Sequence, residues 1–108
     1  MDLYLKHDTF VTSFASGVPR HEAELLYPSH RPLTLAAGTD LSGPPAYATI
    51  PSWYVLGTRD LIITPTAQEF MAERAGAMIT RVKAGHLVLI TNPSAVTKVI
   101  EQAARATR

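Results

Sequence analysis

An α/β fold with parallel strands is predicted by three features of the chain. Ile50-Pro51-Ser52-Trp53-Tyr54-Val55-Leu56-Gly57-Thr58-Arg59-Asp60 is an apolar strand running out into an acid. Ile79-Thr80-Arg81-Val82-Lys83-Ala84-Gly85-His86 is a short strand running out into an imidazole. One amphipathic helix lies between them. Parallel strands joined by a right-handed helical crossover bring their C-terminal ends side by side, and the ligands and catalytic groups of open α/β sheets gather at that edge. Asp60 and His86 are therefore expected to meet.

The organisation changes once, near residue 46. Residues 1–45 are irregular and hold Pro19, Pro28, Pro32, Pro44 and Pro45, five of the eight prolines. Asp8 can cap a short helix carrying Phe10, Val11 and Phe14. Pro19 can open a second, with Leu25 and Leu26 facing inward, and Pro28 stops it. Thr39–Pro45, ending in Gly43-Pro44-Pro45, is a turn or linker. Helices this short need a partner surface, so they suit a lid over a sheet.

Residues 46–108 are locally consistent β-α-β-α. Trp53-Tyr54-Val55-Leu56 is apolar on both faces, as in a strand covered on both sides. The next helix starts with Thr64 capping Pro65 or with a Thr66/Glu69 capping box. Ala67, Phe70, Met71 and Ala75 form its inward stripe, and Gly76 ends it. Met78–Val82 is the second strand. Asn92-Pro93 starts the last helix, with Val96, Val99, Ile100 and Ala103 on one face and a Glu101–Arg105 pair on the other.

Composition narrows the function classes. The 108 residues carry 10 basic and 9 acidic side chains, a formal charge of +1, with no basic run. Nothing recommends nucleic acid or an anionic membrane as a partner. With no cysteine, disulfides and thiolate metal sites are excluded. Met1–Lys6 lacks the pattern of a signal peptide, and no apolar run approaches the ~20 residues that span a bilayer. A cytoplasmic location is expected, with no cofactor and no metal.

Each candidate has a plain structural alternative. An Asp shortly after a strand is commonly a turn or cap residue, and Gly-His after a strand is commonly a loop. Matched strand ends favour the catalytic role. Histidine can take and return a proton near neutrality, and a carboxylate on its other nitrogen fixes the tautomer and stabilises the imidazolium. Gly85 would permit a sharp turn that aims His86 over the sheet edge. His7, His21 and His30 lie in the irregular part without metal-site spacing, and His21, Glu22 and Glu24 read as a solvated face. Trp53 reads as core. Ser13, Ser16, Ser29, Ser42, Ser52 and Ser94 all lack a nucleophile elbow, and Ser52 sits at the wrong end of its strand. A nucleophile within the chain is rejected.

Pro51-Ser52-Trp53-Tyr54, Thr58-Arg59-Asp60, Pro65, Phe70–Ala77 and Gly85-His86 together resemble the C-terminal part of an α/β-hydrolase, whose triad follows the order Ser, Asp or Glu, His. The likeness is to the small esterases related to plant salicylate esterases and hydroxynitrile lyases. It implies that Asp60 is the triad acid and His86 the base. It also implies that residues 1–45 are a helical cap and that 46–108 are the last β-α-β-α part of the core. The Gly-x-Ser-x-Gly elbow and the oxyanion-hole strands are absent from the 108 residues. Leu87 stands where the lyase branch carries lysine, which favours ester hydrolysis. Phe10, Phe14, Leu25, Leu26 and Tyr27 would line a pocket for a small apolar or aromatic ester. The expectation is thus a fragment of a serine-type carboxylic ester hydrolase that supplies acid and base but is inactive alone. Its partner would be the missing N-terminal half, or a second copy through a strand edge. The alternative is a non-catalytic remnant or interaction module pairing through that edge.

Overall fold

A computed structural model describes all 108 residues. Strands β3 (Trp53–Gly57) and β4 (Met78–Val82) pair in parallel, Trp53 opposite Met78 through to Gly57 opposite Val82. Helix α3 (Pro65–Arg74) connects them, and the short α4 (Val88–Thr91) and the longer α5 (Pro93–Ala106) follow β4. Strand side chains alternate between faces. Tyr54 reaches Gln68 on α3, whereas Trp53 and Val55 line a groove with Val96, Val99 and Ala103 of α5. The two helices therefore cover opposite faces of the sheet, giving three layers.

Local chemistry sets the bounds of α3. The Thr64 side chain accepts a hydrogen bond from the Ala67 N–H at 3.2 Å, and Pro65 follows it, which selects the first of the two candidate starts. Gly76 has φ +65, with Gly76 N–H on the Glu73 carbonyl and Ala77 N–H on that of Ala72. That is a Schellman ending, and it needs a residue at ease in the left-handed region. The inward stripe, however, differs from the expected one. Ala67 and Met71 point outward and Phe70 is 65% exposed, while Gln68 and Ala72 are buried. Positions 65, 68, 72 and 75 face the sheet, and Gln68 tolerates burial because its carboxamide is fully hydrogen-bonded. On α5, Val99 is buried and Ile100 is exposed at the groove's rim. Glu101 and Arg105 pair at 3.9 Å.

The N-terminal segment is not purely helical. Asp2–Leu3 (β1) and Leu33–Thr34 (β2) form a short antiparallel pair that ties its start to the chain beyond the second helix. Helix α1 (His7–Thr9) runs into a π-turn, Phe10–Phe14, closed by Ala15 N–H on the Phe10 carbonyl. Asp8 lies inside this helix; Lys6 occupies the cap position without a side-chain bond. Helix α2 (Arg20–Leu26) follows Pro19 and passes into a 3₁₀ turn around Pro28. Leu26 packs inward, but Leu25 is 66% exposed and Ala23 takes the buried position. Phe10, Val11, Ala15, Val18 and Ala23 make the core of this segment, and Leu87 and Ile90 pack against it. Its underside thus rests on the chain that follows β4. No helix is long and apolar enough to cross a membrane.

Candidate active site

The site is assembled at the C-terminal ends of β3 and β4. Beyond Gly57 the chain stays bonded to the neighbouring strand, with Thr58 N–H on the Val82 carbonyl at 2.9 Å and Arg59 N–H on that of Ala84 at 3.0 Å. Asp60 leaves this ladder with its side chain buried. Its Oδ1 accepts the backbone N–H groups of Ile62 (2.8 Å) and Ile63 (3.0 Å). Its Oδ2 accepts from Gln68 Nε2 at 3.2 Å and lies 2.9 Å from His86 Nδ1. An ionised carboxylate only accepts, so the His86 proton is on Nδ1. The Nε2 lone pair is then free to act as a base.

Burial is the largest influence on Asp60 and by itself raises its pKa; the hydrogen bonds from His86, Ile62 and Ile63 outweigh it, so the carboxyl lies below its ordinary value. Burial, with the nearby Asp60 charge, raises the Tyr54 hydroxyl. A tuned carboxylate beside a histidine at a strand end marks a functional-site candidate.

Gly85 does not need a left-handed backbone, because its φ is not positive; what its surroundings require is the absence of a side chain. A Cβ there would stand 2.6 Å from Ser16 Oγ and 2.8 Å from the Ser16 carbonyl oxygen. The glycine lets the N-terminal segment close onto the loop that carries His86. Gly57 allows a second close approach, since a Cβ on it would meet the carbonyl oxygens of Ala84 and Gly85 at 2.8 Å. The Phe14 ring covers His86 at a centroid distance of 4.6 Å and Phe10 at 5.1 Å.

Two cavities open beside this aromatic contact. One, of about 210 Å³, is lined by Phe10, Phe14, Leu26, Leu87 and Ile90 among others. The other, of about 520 Å³, is lined mainly by Leu3, Leu5, Phe14, Leu33 and Ile62. Of the expected lining residues, Leu25 is turned away, and the Tyr27 hydroxyl donates to the Leu5 carbonyl at 3.2 Å. His30 packs against Phe14, while His7 bridges Glu24 and Asp8. The Glu24 bond, then that of Asp8, raises the His7 pKa above 6.5. No three His, Asp or Glu side chains converge as a metal site would require. Ser52 Oγ is buried without a partner at the opposite end of β3.

The place of Gln68 beside Asp60 and the close approach of Ser16 to Gly85 were not expected from the sequence. The signal for Gln68 was available in its helical phase with Pro65, Ala72 and Ala75. Ser16 offered none, because its role depends on a contact far along the chain. A family model described as the alpha/beta hydrolase family matches residues 2–99. No curated protein and no solved structure matches the chain.

Proposed function

The chain belongs to the alpha/beta hydrolase family, and from that premise we propose that it is the acid–base part of a serine-type carboxylic ester hydrolase. Asp60 is the triad acid and His86 the general base. The serine nucleophile and the oxyanion hole come from a segment outside these 108 residues. The observation that carries this reading is the 2.9 Å contact between His86 Nδ1 and Asp60 Oδ2 at neighbouring strand ends.

The chemistry follows from that contact. His86 Nε2 accepts the serine proton as the hydroxyl attacks the ester carbonyl, and Asp60 stabilises the imidazolium that forms. His86 then returns the proton to the departing alcohol, leaving an acyl-serine ester. In the second half it activates water, and hydrolysis of that ester regenerates the serine. The phenyl ring of Phe14 and the aliphatic walls below it suit a small apolar or aromatic ester, the class expected of enzymes related to plant salicylate esterases. Residues 1–45 act as the cap over this site, and 46–108 as the end of the core.

Complementation tests the proposal. The DNA upstream of the Met1 codon is searched for a Gly-x-Ser-x-Gly segment, which is then produced together with these 108 residues. Hydrolysis of p-nitrophenyl acetate by the pair, reduced about 10²- to 10⁴-fold in His86→Ala, supports the assignment. The 108 residues alone stay at background. Turnover by the chain alone that disappears in His86→Ala but survives replacement of each serine would show a different nucleophile and refute it.

A further inference from the structure

Of the polar side chains in this chain, Gln68 is the most completely enclosed and the most fully used. It is 4% exposed. Its Oε1 accepts from Gly57 N–H and from the Tyr54 hydroxyl, both at 3.3 Å. Its Nε2 donates to the carbonyls of Ile63 (2.8 Å) and Gly57 (3.3 Å) and to Asp60 Oδ2 (3.2 Å). Two N–H groups serve three acceptors, so one is shared. The amide orientation is fixed, because a flip would turn the NH₂ against the Gly57 N–H.

We propose that Gln68 is a positioning residue for the Asp60–His86 pair: it clamps the end of β3, the Asp60 loop and the acid's second oxygen as one unit. The inference rests on the acid–base assignment above. Ile62 and Ile63 hold only Oδ1, which leaves the carboxylate able to swing Oδ2 about that anchor. Gln68 removes the freedom, since Oδ2 is held from the α3 side while His86 approaches from the loop after β4. The residue type follows from the charges. A neutral amide donates to Asp60 while also accepting from Gly57 and Tyr54. An ionised carboxylate in its place would set two negative charges within hydrogen-bond distance. An apolar side chain would leave the Gly57 N–H and one Asp60 lone pair without partners.

The test reads the His86 ring by ¹⁵N and ¹H NMR, alongside a thermal melt, in the chain in its native assembly. In the wild type, Nδ1 is expected to show a downfield, slowly exchanging proton signal, and Asp60→Asn to abolish it. Gln68→Met, similar in length but unable to hydrogen-bond, is expected to leave a cooperative melt while the Nδ1 proton signal moves upfield and exchanges faster. Gln68→Glu supplies the rescue. Its acid form keeps one O–H donor for Asp60 Oδ2, so the signature approaches that of wild type at the same low pH and departs from it as the new carboxyl ionises. Besides His86, the titratable groups bonded within this cluster are Asp60 and Tyr54. A signature unchanged in Gln68→Met, and matching that of wild type at every pH in Gln68→Glu, would overturn the proposal. Should Gln68→Met not fold, the Gln68→Glu titration alone decides. A signature insensitive to Asp60→Asn would instead refute the acid–base pair itself, so the two failures are distinguishable.

Discussion

Asp60 receives four donors on two oxygens: two backbone N–H groups on Oδ1, and Gln68 and His86 on Oδ2. Because the folded chain lowers its pKa below the ordinary 3.8, its ionised form stabilises the fold. That contribution is complete above pH 3.8 and disappears as pH falls through the lower folded value. Asp60→Asn removes it. We expect the variant to be less stable than wild type by about 1–3 kcal/mol near neutrality, the cost of mismatching a buried, charge-assisted network. The gap should shrink below pH 3.8. Urea melts of both proteins at pH 3 and pH 6 compare the two directly, and an unchanged gap would mean that Asp60 is not held ionised by the fold. That Asp60 and His86 would meet was legible in the sequence because each follows a recognisable strand. The nitrogen that faces the acid was not, since it depends on the carboxylate's other partners.

At the scale of elements, the two strands and the two longer helices of 46–108 were readable because cap, proline and glycine signals agree with one another, whereas the short helix Val88–Thr91 was not. The face of α3 was not. Hydrophobicity pointed to Phe70 and Met71, but the hydrogen bonds of Gln68 with Gly57 and Asp60 hold the opposite face of the helix on the sheet. Short-range pattern also missed the β1–β2 pair, because two residues on each side carry no periodicity. Two glycines make separate demands here. Gly76 meets nothing within 4 Å but has φ +65, so Gly76→Ala costs only the left-handed strain of about 1 kcal/mol. Gly85→Ala must displace the Ser16 backbone, and it should loosen the N-terminal segment from the His86 loop. Gly38, with open space and no positive φ, is the control, and its alanine variant should melt like wild type. Amide hydrogen exchange separates the cases. Gly85→Ala should raise exchange in Phe10–Val18 selectively, whereas Gly76→Ala should weaken the α3–β4 region. Equal protection of Phe10–Val18 in the Gly85→Ala and Gly38→Ala variants would show that the close approach is not needed.

For the whole molecule, β3 has a neighbouring strand on one side only. Backbone groups of alternate strand residues point to opposite sides. Ser52 and Thr58 bond toward β4, so Trp53, Val55 and Gly57 face the other way. Gln68 occupies the groups of Gly57, and Trp53 and Val55 have no neighbouring strand. Beside them runs the apolar groove against α5, of about 510 Å³. Unpaired edges flanked by apolar surface promote association. An added strand can pair along Trp53–Val55 but must stop short of Gly57, where the Gln68 carboxamide stands in for it. We therefore expect the 108 residues alone to self-associate through this edge at tens of micromolar, and a complementary nucleophile-bearing segment to replace that contact with a compact 1:1 complex. A proline at Val55 removes the N–H directed at the open edge and leaves the β4 side unpaired at no new position, so Val55→Pro should shift sedimentation toward monomer. A wild-type chain that sediments as a monodisperse monomer and melts in one sharp transition would show that the edge needs no partner.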